Sequence, residues 1–206
     1  MVINMKEKTI DDDVLNYENI DYNKIDYDVI YRKIRHPRLE FKTGKLIAVL
    51  PYGYDVGTLL DKYKNWIYKK ESFIKECRKE ATFRKLNDRS LEELKIITAG
   101  ILKNLTEKNG RSVDKVSFRW MKTRWAGLHI RKNSPLRISL SINKKIKYLP
   151  VYLVEYILFH EITHFKEKKH NRKFWGIIKS KYDNYKEMEK ELFIYWFKIS
   201  GLAKTL

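Results

Sequence analysis

One apolar segment that contains two histidines constrains this chain more than any other feature of its sequence. Pro150 precedes a run that is mostly apolar over residues 151–165, and His160, Glu161 and His164 lie within that run. Proline is favoured at the start of a helix, because its missing N–H would have no helical partner there. The run therefore predicts a buried helix, on which the two histidines, four residues apart, share one face.

The two histidines and the carboxylate between them have the spacing of a metal site. Imidazole is a zinc ligand at about 2.0–2.1 Å, and zinc accepts four ligands in a tetrahedron. Glu161 is directed about 100° round the helix from His160, outside the ligand set but within reach of a water at the metal. The pattern predicts His160 and His164 as ligands and Glu161 as the general base that takes a proton from this water.

His170 is the candidate for the third ligand. It follows His164 by six residues, and the intervening FKEKK is expected to end the helix and turn the chain back. Asn171 is expected to cap the next helix, which would fix the backbone beside His170. Three protein ligands leave a fourth position open, as in catalytic rather than structural zinc sites. We therefore expect one Zn²⁺ per chain.

The first half of the chain predicts short strands followed by a long helix. Residues 27–34, 39–41 and 45–50 are expected to form a small β-meander, with a glycine-containing hairpin turn at residues 42–44. Apolar residues at helical spacing follow Asp55, which is a suitable N-cap for the long helix.

The second half predicts helices and strands in mixed order. Ser90 and Glu93 have the spacing of a capping box, in which side chain and backbone satisfy each other at a helix N-terminus. Residues 113–121 and 136–142 are expected to be strands, and residues 122–135, rich in Arg and Gly, a loop. Three helices complete the chain. A meander, two helices, two strands and three helices together predict an α+β fold.

Charge divides the chain into an acidic beginning and a basic remainder. The net charge of +18 combines −5 over residues 1–28 with +23 over the rest. We interpret residues 1–25 as an acidic N-terminal arm, 26–87 as the meander with the long helix, and 88–206 as the catalytic region, which forms one compact unit with 26–87. A basic excess attracts polyanions, so nucleic acid or nucleotide is a candidate partner. A composition bias would produce the same charge.

Composition excludes several classes of protein. A hydrophobic fraction of 43% is sufficient for a core, and no apolar run approaches the ~20 residues that cross a bilayer. The polar N-terminus MVINMKEKTIDDD is unlike a secretory signal peptide. Cys77 is the only cysteine, so the chain has no intrachain disulfide. These features predict a cytoplasmic protein without membrane contact, and they leave the oligomeric state open.

The motif and its surroundings resemble a known family. HEITHFKEKKHNRKFW, residues 160–175, is similar to the signature of the YgjP-like metallopeptidase family, which is related to SprT-like and other minimal zincin peptidases. Residues 28–53, followed by a Trp-containing helix, are similar to the N-terminal hairpin region of that family. The resemblance implies a zincin-like core, with the active-site helix packed on a small antiparallel or mixed sheet, and zinc bound by the three histidines beside Glu161.

The same resemblance suggests residues that contact substrate. The family usually has Arg-Trp-Gly-Ser-Cys ahead of the strand before the active helix, where residues 124–129 of this chain are Arg-Trp-Ala-Gly-Leu-His. Arg124 and Trp125 match, and Trp175 matches an aromatic residue after the third ligand. His129 can replace a lost polar group, or it can lie in solvent. The missing Ser and Cys leave substrate specificity open.

Three functions are compatible with these residues. The leading one is a zinc metallopeptidase acting on a peptide or protein, and the strand at 136–142 could pair with an extended substrate if it lies at a sheet edge. The second is a hydrolase of the phosphoanhydride bond in nucleoside triphosphates, although the sequence has no P-loop. The third is a non-enzymatic nucleic-acid-binding protein, with basic residues between Trp120, Trp125 and Trp175 and a structural zinc.

Overall fold

The computed structural model describes residues 4–5, 26–107, 112–131 and 137–202, which form an α+β structure with two small mixed sheets. Their strands are β1 (Asn4–Met5), β2 (Tyr27–Tyr31), β3 (Arg38–Lys42), β4 (Lys45–Leu50), β5 (Lys115–Arg119), β6 (Ala126–Arg131) and β7 (Arg137–Asn143). Their helices are α1 (Val56–Lys62), α2 (Lys64–Phe83), α3 (Leu91–Glu107), α4 (Val151–Thr163), α5 (Arg172–Lys181) and α6 (Tyr185–Leu202), with a 3₁₀ helix at Lys144–Tyr148. The predicted α+β class is confirmed.

The chain divides into two compact units, and the division falls within α2. Asn4–Arg78 contains a four-stranded sheet with the order β1-β3-β4-β2. Lys79–Leu206 contains a three-stranded sheet with the order β5-β7-β6, together with α3 to α6. The boundaries that the sequence suggested, after residues 25 and 87, stay predictions. Except for β1, the acidic arm lies outside the described residues.

The four-stranded sheet contains the predicted hairpin but not the predicted meander. β3 and β4 pair antiparallel across Thr43 and Gly44, which have φ of 52° and 82°. Positive φ at both turn positions suits the twist of a two-residue hairpin. β2 pairs with β4 in parallel, so the meander order is wrong. Four of the six residues of β4, the most apolar strand, are buried. β4 lies inside the sheet, so both of its edges are paired with neighbouring strands.

The predicted long helix is two helices. The Asp55 carboxylate accepts a hydrogen bond from the Thr58 N–H at 2.8 Å, which confirms the predicted N-cap of α1. Tyr63 ends α1, and its N–H is shared between the carbonyls of Leu59 and Leu60 at 3.3 and 3.2 Å. Shared bonds of this kind are common at helix ends. The sequence does not reveal the break, because Tyr63 fits the apolar period of either helix.

The three-stranded sheet has β7 at its centre. β7, which corresponds to the predicted strand at 136–142, pairs parallel with β5 and antiparallel with β6. The prediction of a loop over 122–135 is wrong, since β6 lies within it. Ala126, Leu128 and Ile130 alternate with less apolar residues, but a glycine and two basic residues obscure that period in the sequence.

The positions of β6 and β7 decide which strand can receive a peptide. Both edges of β7 are occupied, so this strand does not meet the condition under which it was expected to pair with an extended substrate. β6 has a partner on one side only among the described strands.

A buried asparagine fixes the chain ahead of β6. Asn143, at the end of β7, donates from Nδ2 to the carbonyls of Met121 and Arg124, both at 2.8 Å. Its Oδ1 accepts from the Lys145 N–H at 3.1 Å, and its own N–H donates to the Trp125 carbonyl at 2.8 Å. Because buried polar groups are costly unless paired, this network specifies one conformation for residues 121–125.

Helix α4 lies in the main apolar core and carries the histidine pair. Nine of its thirteen residues are buried, which confirms the predicted buried helix. It packs against α3, α5, α6 and β6. Val154, Leu158 and Ile162 are buried as predicted, whereas Phe165 follows the helix and is partly exposed. Among the described helices, none combines the length and the apolar character needed to cross a bilayer.

Candidate metal centre

The nitrogens of three histidine side chains converge on one point. One ring nitrogen from each of His160, His164 and His170 lies within 4.8 Å of the others, and the Nε2 atoms of His160 and His170 are 2.9 Å apart. Zn–N bonds of 2.0–2.1 Å in a tetrahedron correspond to nitrogens about 3.3 Å apart. The three ligand atoms therefore fit a single ion after small shifts.

Each histidine is positioned by a helix or a helix end. His160 lies in the last turn of α4, and His164 is the residue that directly follows this helix. His170 precedes α5, whose N-cap is Asn171. The Asn171 Oδ1 accepts a hydrogen bond from the Phe174 N–H at 3.0 Å, so the predicted cap is confirmed. The cap fixes the backbone next to His170, as the sequence predicted.

Two aromatic rings form the wall behind the histidines. The Phe174 ring is fully buried, and its centroid lies 4.6–4.9 Å from those of all three imidazoles. The Trp175 ring lies 6.1 Å from His160 and 6.0 Å from His170, and it stacks on Tyr185 at 5.2 Å. Trp175 is partly exposed beside the histidines, and its contact with substrate stays a prediction.

Loss of solvation lowers the pKa of all three imidazoles, although only His160 is fully buried. It lowers the pKa of His160 well below the ordinary value, and it also lowers the pKa of His164 against the opposing effect of a hydrogen bond to the Glu167 carbonyl. Partial loss of solvation and the neighbouring His164 lower the pKa of His170 to about 4. Metals bind the neutral imidazole, so the rings are in the ligating form at neutral pH.

The second ring nitrogens of two histidines differ in their partners. His164 Nδ1 lies 3.0 Å from the Glu167 carbonyl oxygen. A carbonyl only accepts, so Nδ1 carries the proton and Nε2 is left for a metal. The buried His160 Nδ1 has no hydrogen-bond partner among the described residues, and Glu189 Oε1 is 4.0 Å from it. Burial raises the pKa of Glu189, and the Tyr156 hydroxyl that donates to it opposes the rise.

Glu161 is held by the main chain of the neighbouring strand. Its side chain is buried, and its Oε2 accepts a hydrogen bond from the Leu128 N–H at 2.9 Å. The sequence contains no signal for this contact, since every residue type except proline provides the same N–H. Glu161 and β6 open on a cavity of about 330 Å³, which is lined by Arg124, Ala126, Gly127, Leu128, Ile130, Glu161, His164, Lys168 and His170.

The residues suggested for substrate contact have different surroundings. Arg124 lines the cavity and lies over Gly127, where a Cβ would be 3.2 Å from the Arg124 Nη1. Trp125 is fully buried and packs edge-on against Trp196 at 5.0 Å, so its predicted contact with substrate is wrong. The Trp125 ring packs in the core and does not line the cleft. His129 is exposed and does not line the cavity, and its role stays a prediction.

A buried helix with two histidines and a carboxylate, beside a third histidine and a small mixed sheet, defines a candidate metallohydrolase site. The family described as YgjP-like, metallopeptidase domain, matches residues 68–194, which is more than half of the chain. The chain belongs to this family, and the resemblance found in its motif is confirmed. No curated protein matches the chain significantly. Membership supports a hydrolase that uses a metal, for which the histidine cluster is suited.

The cap beside His170 leads to a first prediction. Asn171→Ala should lower the free energy of unfolding by about 1 kcal/mol, because the Phe174 N–H loses its acceptor. Metal affinity should fall with it, since the backbone next to His170 is less restrained. Urea unfolding and metal titration measure the two effects. Asn104→Ala, at an exposed position inside α3, is the control and should lower neither, since alanine favours a helix interior. An Asn171→Ala protein as stable as the parent would contradict the assigned cap.

Proposed function

We propose that this protein is a zinc-dependent metallopeptidase with a zincin-like active site. His160, His164 and His170 hold the zinc, and Glu161 is the general base. The observation that carries the proposal is the shared cleft, which is lined by Glu161, two of the histidines and one edge of β6. A structural zinc site would have a fourth protein ligand. Among the described residues, the only group of side chains placed to hold a metal consists of the three histidines and has no fourth member.

Glu161 has the surroundings that a general base requires. When bound, zinc supplies Lewis-acid activation of a water molecule and of the peptide carbonyl. The Leu128 N–H orients the carboxylate through Oε2. Glu161 takes the proton of the attacking water and passes it to the leaving amine, which is the ordinary cycle of a general base that becomes a general acid.

The outer edge of β6 is suited to an extended peptide. The polar backbone groups of successive strand residues point to opposite edges. The Trp125 carbonyl is bonded to Asn143 of β7, whereas the Leu128 N–H is bonded to Glu161, on the opposite edge. By this alternation the backbone groups of Ile130 are on the same side as those of Leu128, and both residues line the cleft. A peptide added as a strand here gains affinity from main-chain hydrogen bonds, with little sequence preference.

Cationic side chains in the cleft support a second candidate function. Arg124 and Lys168 line it, and they would attract phosphate groups as well as acidic side chains of a peptide. Hydrolysis of nucleoside triphosphates at a phosphoanhydride bond is therefore the alternative. Binding of nucleic acid by base stacking has less support, because Trp125 is buried, although Trp120 is 63% exposed. The metallopeptidase proposal includes a cytoplasmic location.

A comparison of two substrates separates these functions. Zinc-loaded protein is incubated with an unfolded protein such as casein and, separately, with nucleoside triphosphates. We expect new peptide termini by mass spectrometry and no release of phosphate or pyrophosphate, and we expect a chelator to stop the cleavage. Phosphate or pyrophosphate release without peptide cleavage would favour the alternative. Bound zinc with neither activity would favour a binding protein.

A further inference from the structure

We propose that Glu189 is a positioning residue for His160. In the metal-loaded protein its carboxylate accepts the Nδ1–H of His160, directly or through one water, and so holds the ring in the tautomer that presents Nε2. The inference rests on the proposed metal site. It gives a role to a carboxylate that neither binds the metal nor lines the substrate cleft.

The chemistry of a ligating imidazole requires such an acceptor. A neutral ring carries one proton, so a histidine that binds metal through Nε2 must carry it on Nδ1. Ligating histidines almost always donate this N–H to a carboxylate, a carbonyl or a water. The Glu167 carbonyl meets this need for His164. His160 is 2% exposed and has no partner for Nδ1 among the described residues, so a polar side chain near this nitrogen is the candidate acceptor.

Glu189 lies at the open nitrogen. It belongs to α6, and its Oε1 is 4.0 Å from His160 Nδ1. The Tyr156 hydroxyl donates to the same oxygen at 2.5 Å. Tyr156 and His160 are four residues apart on α4, so their side chains share a face, and the carboxylate is within reach of both. Tyr156 thereby keeps the carboxylate near the imidazole.

The distance of 4.0 Å between Glu189 Oε1 and His160 Nδ1 leaves room for a small movement of the carboxylate or for one water. It exceeds the 2.7–3.2 Å of an N–H···O hydrogen bond. A histidine that would hold a metal through Nε2 carries its single ring proton on Nδ1, since a neutral imidazole has only one. A small rotation of Glu189, or one bridging water, then completes the hydrogen bond.

A second tyrosine–glutamate pair provides a matched control. The Tyr152 hydroxyl donates to Glu191 Oε2 at 2.5 Å, and this pair also joins α4 to α6. Tyr152 lies two helical turns from His160, and no contact links Glu191 to the histidines among the described residues. A change at Glu191 therefore tests the effect of losing a tyrosine–carboxylate link between the same two helices, together with an ion pair to Arg84 at 3.3 Å.

The experiment measures zinc affinity in Glu189→Ala, Glu189→Gln and Glu191→Gln by competition with a chromophoric chelator. We expect Glu189→Ala to bind zinc 10–100-fold more weakly, the usual cost of losing an outer partner of a ligand. Glu189→Gln keeps a neutral acceptor and should lose less, and Glu191→Gln should match the parent. ¹⁵N-edited NMR of the zinc-loaded parent should show a slowly exchanging Nδ1–H on His160, which is lost or shifted in Glu189→Ala.

Each result decides the question. Equal zinc affinity and an unchanged His160 Nδ1–H in both Glu189 variants would overturn the assignment. An equal loss of zinc affinity in Glu191→Gln would show that the effect comes from helix packing, and this result would also overturn the assignment. If Glu189→Ala does not fold, Glu189→Gln and its Nδ1–H signal give the result. Failure of the parent to bind zinc would refute the proposed metal site instead, so the two failures are distinguishable.

Discussion

Glu161→Gln is expected to bind zinc like the parent protein and to hydrolyse peptides about 10²–10⁴-fold more slowly, the contribution typical of a general base. Glutamine has the same shape, and its side-chain carbonyl can accept the hydrogen bond from the Leu128 N–H. It cannot take a proton, so the water is no longer activated. Initial rates of peptide cleavage and zinc content, measured on the same samples, check both parts of the prediction.

A carboxylate on the same helix provides the control for this variant. Glu155 lies on α4 and forms an exposed ion pair with Lys181 at 2.7 Å. Glu155→Gln removes the same charge and should leave the rate unchanged, because exposed ion pairs contribute little. If Glu161→Gln cleaved peptides at the rate of Glu155→Gln, Glu161 would not be the base.

His170→Ala is expected to lose zinc and hydrolysis and to keep the fold. With two ligands left, zinc affinity should fall at least about 100-fold, the upper end of the range for outer-shell partners. His170 is exposed before α5 and is not part of the apolar cluster around α4, so its removal leaves the core intact. Zinc content by mass spectrometry, circular dichroism and thermal unfolding are the measurements. His36→Ala, at an exposed position remote from the cluster in sequence, should retain the metal.

The same measurements separate a catalytic zinc from a structural one. Structural zinc contributes folding free energy outright, so its removal unfolds the protein. For this chain we expect the zinc-free protein to stay folded, with a lower melting temperature that zinc restores by mass action. Unfolding of His170→Ala, or of the parent protein after chelation, would favour the structural role.

Features set by neighbouring residues could be predicted from the sequence. The capping box is an example, since the Ser90 N–H donates to Glu93 Oε2 at 2.7 Å and the Glu93 N–H to Ser90 Oγ at 3.1 Å. Helix α4, the Asn171 cap and the spacing of the histidines belong to the same class. Each depends on residues within one or two helical turns, where spacing alone fixes geometry.

Features set by distant parts of the chain could not be predicted. The parallel pairing of β2 with β4 and the central place of β7 are choices between strands, which a local pattern does not contain. Trp125 illustrates the same limit at one residue. Its motif suggested contact with substrate, whereas the ring packs on Trp196 of α6. Glu189 carries no local signal either, because it lies on a different helix from His160.

The hydrogen bond between Leu128 and Glu161 has a consequence for mutational tolerance. The donor is a backbone N–H, so every residue except proline can supply it at position 128. The loss of the usual Ser-Cys pair in this chain therefore leaves the orientation of Glu161 intact, although both replaced positions line the cleft. Position 128 separates the two requirements of an active site. Its side chain is free to vary and to change what the cleft accepts, while its main chain holds the Glu161 carboxylate in place.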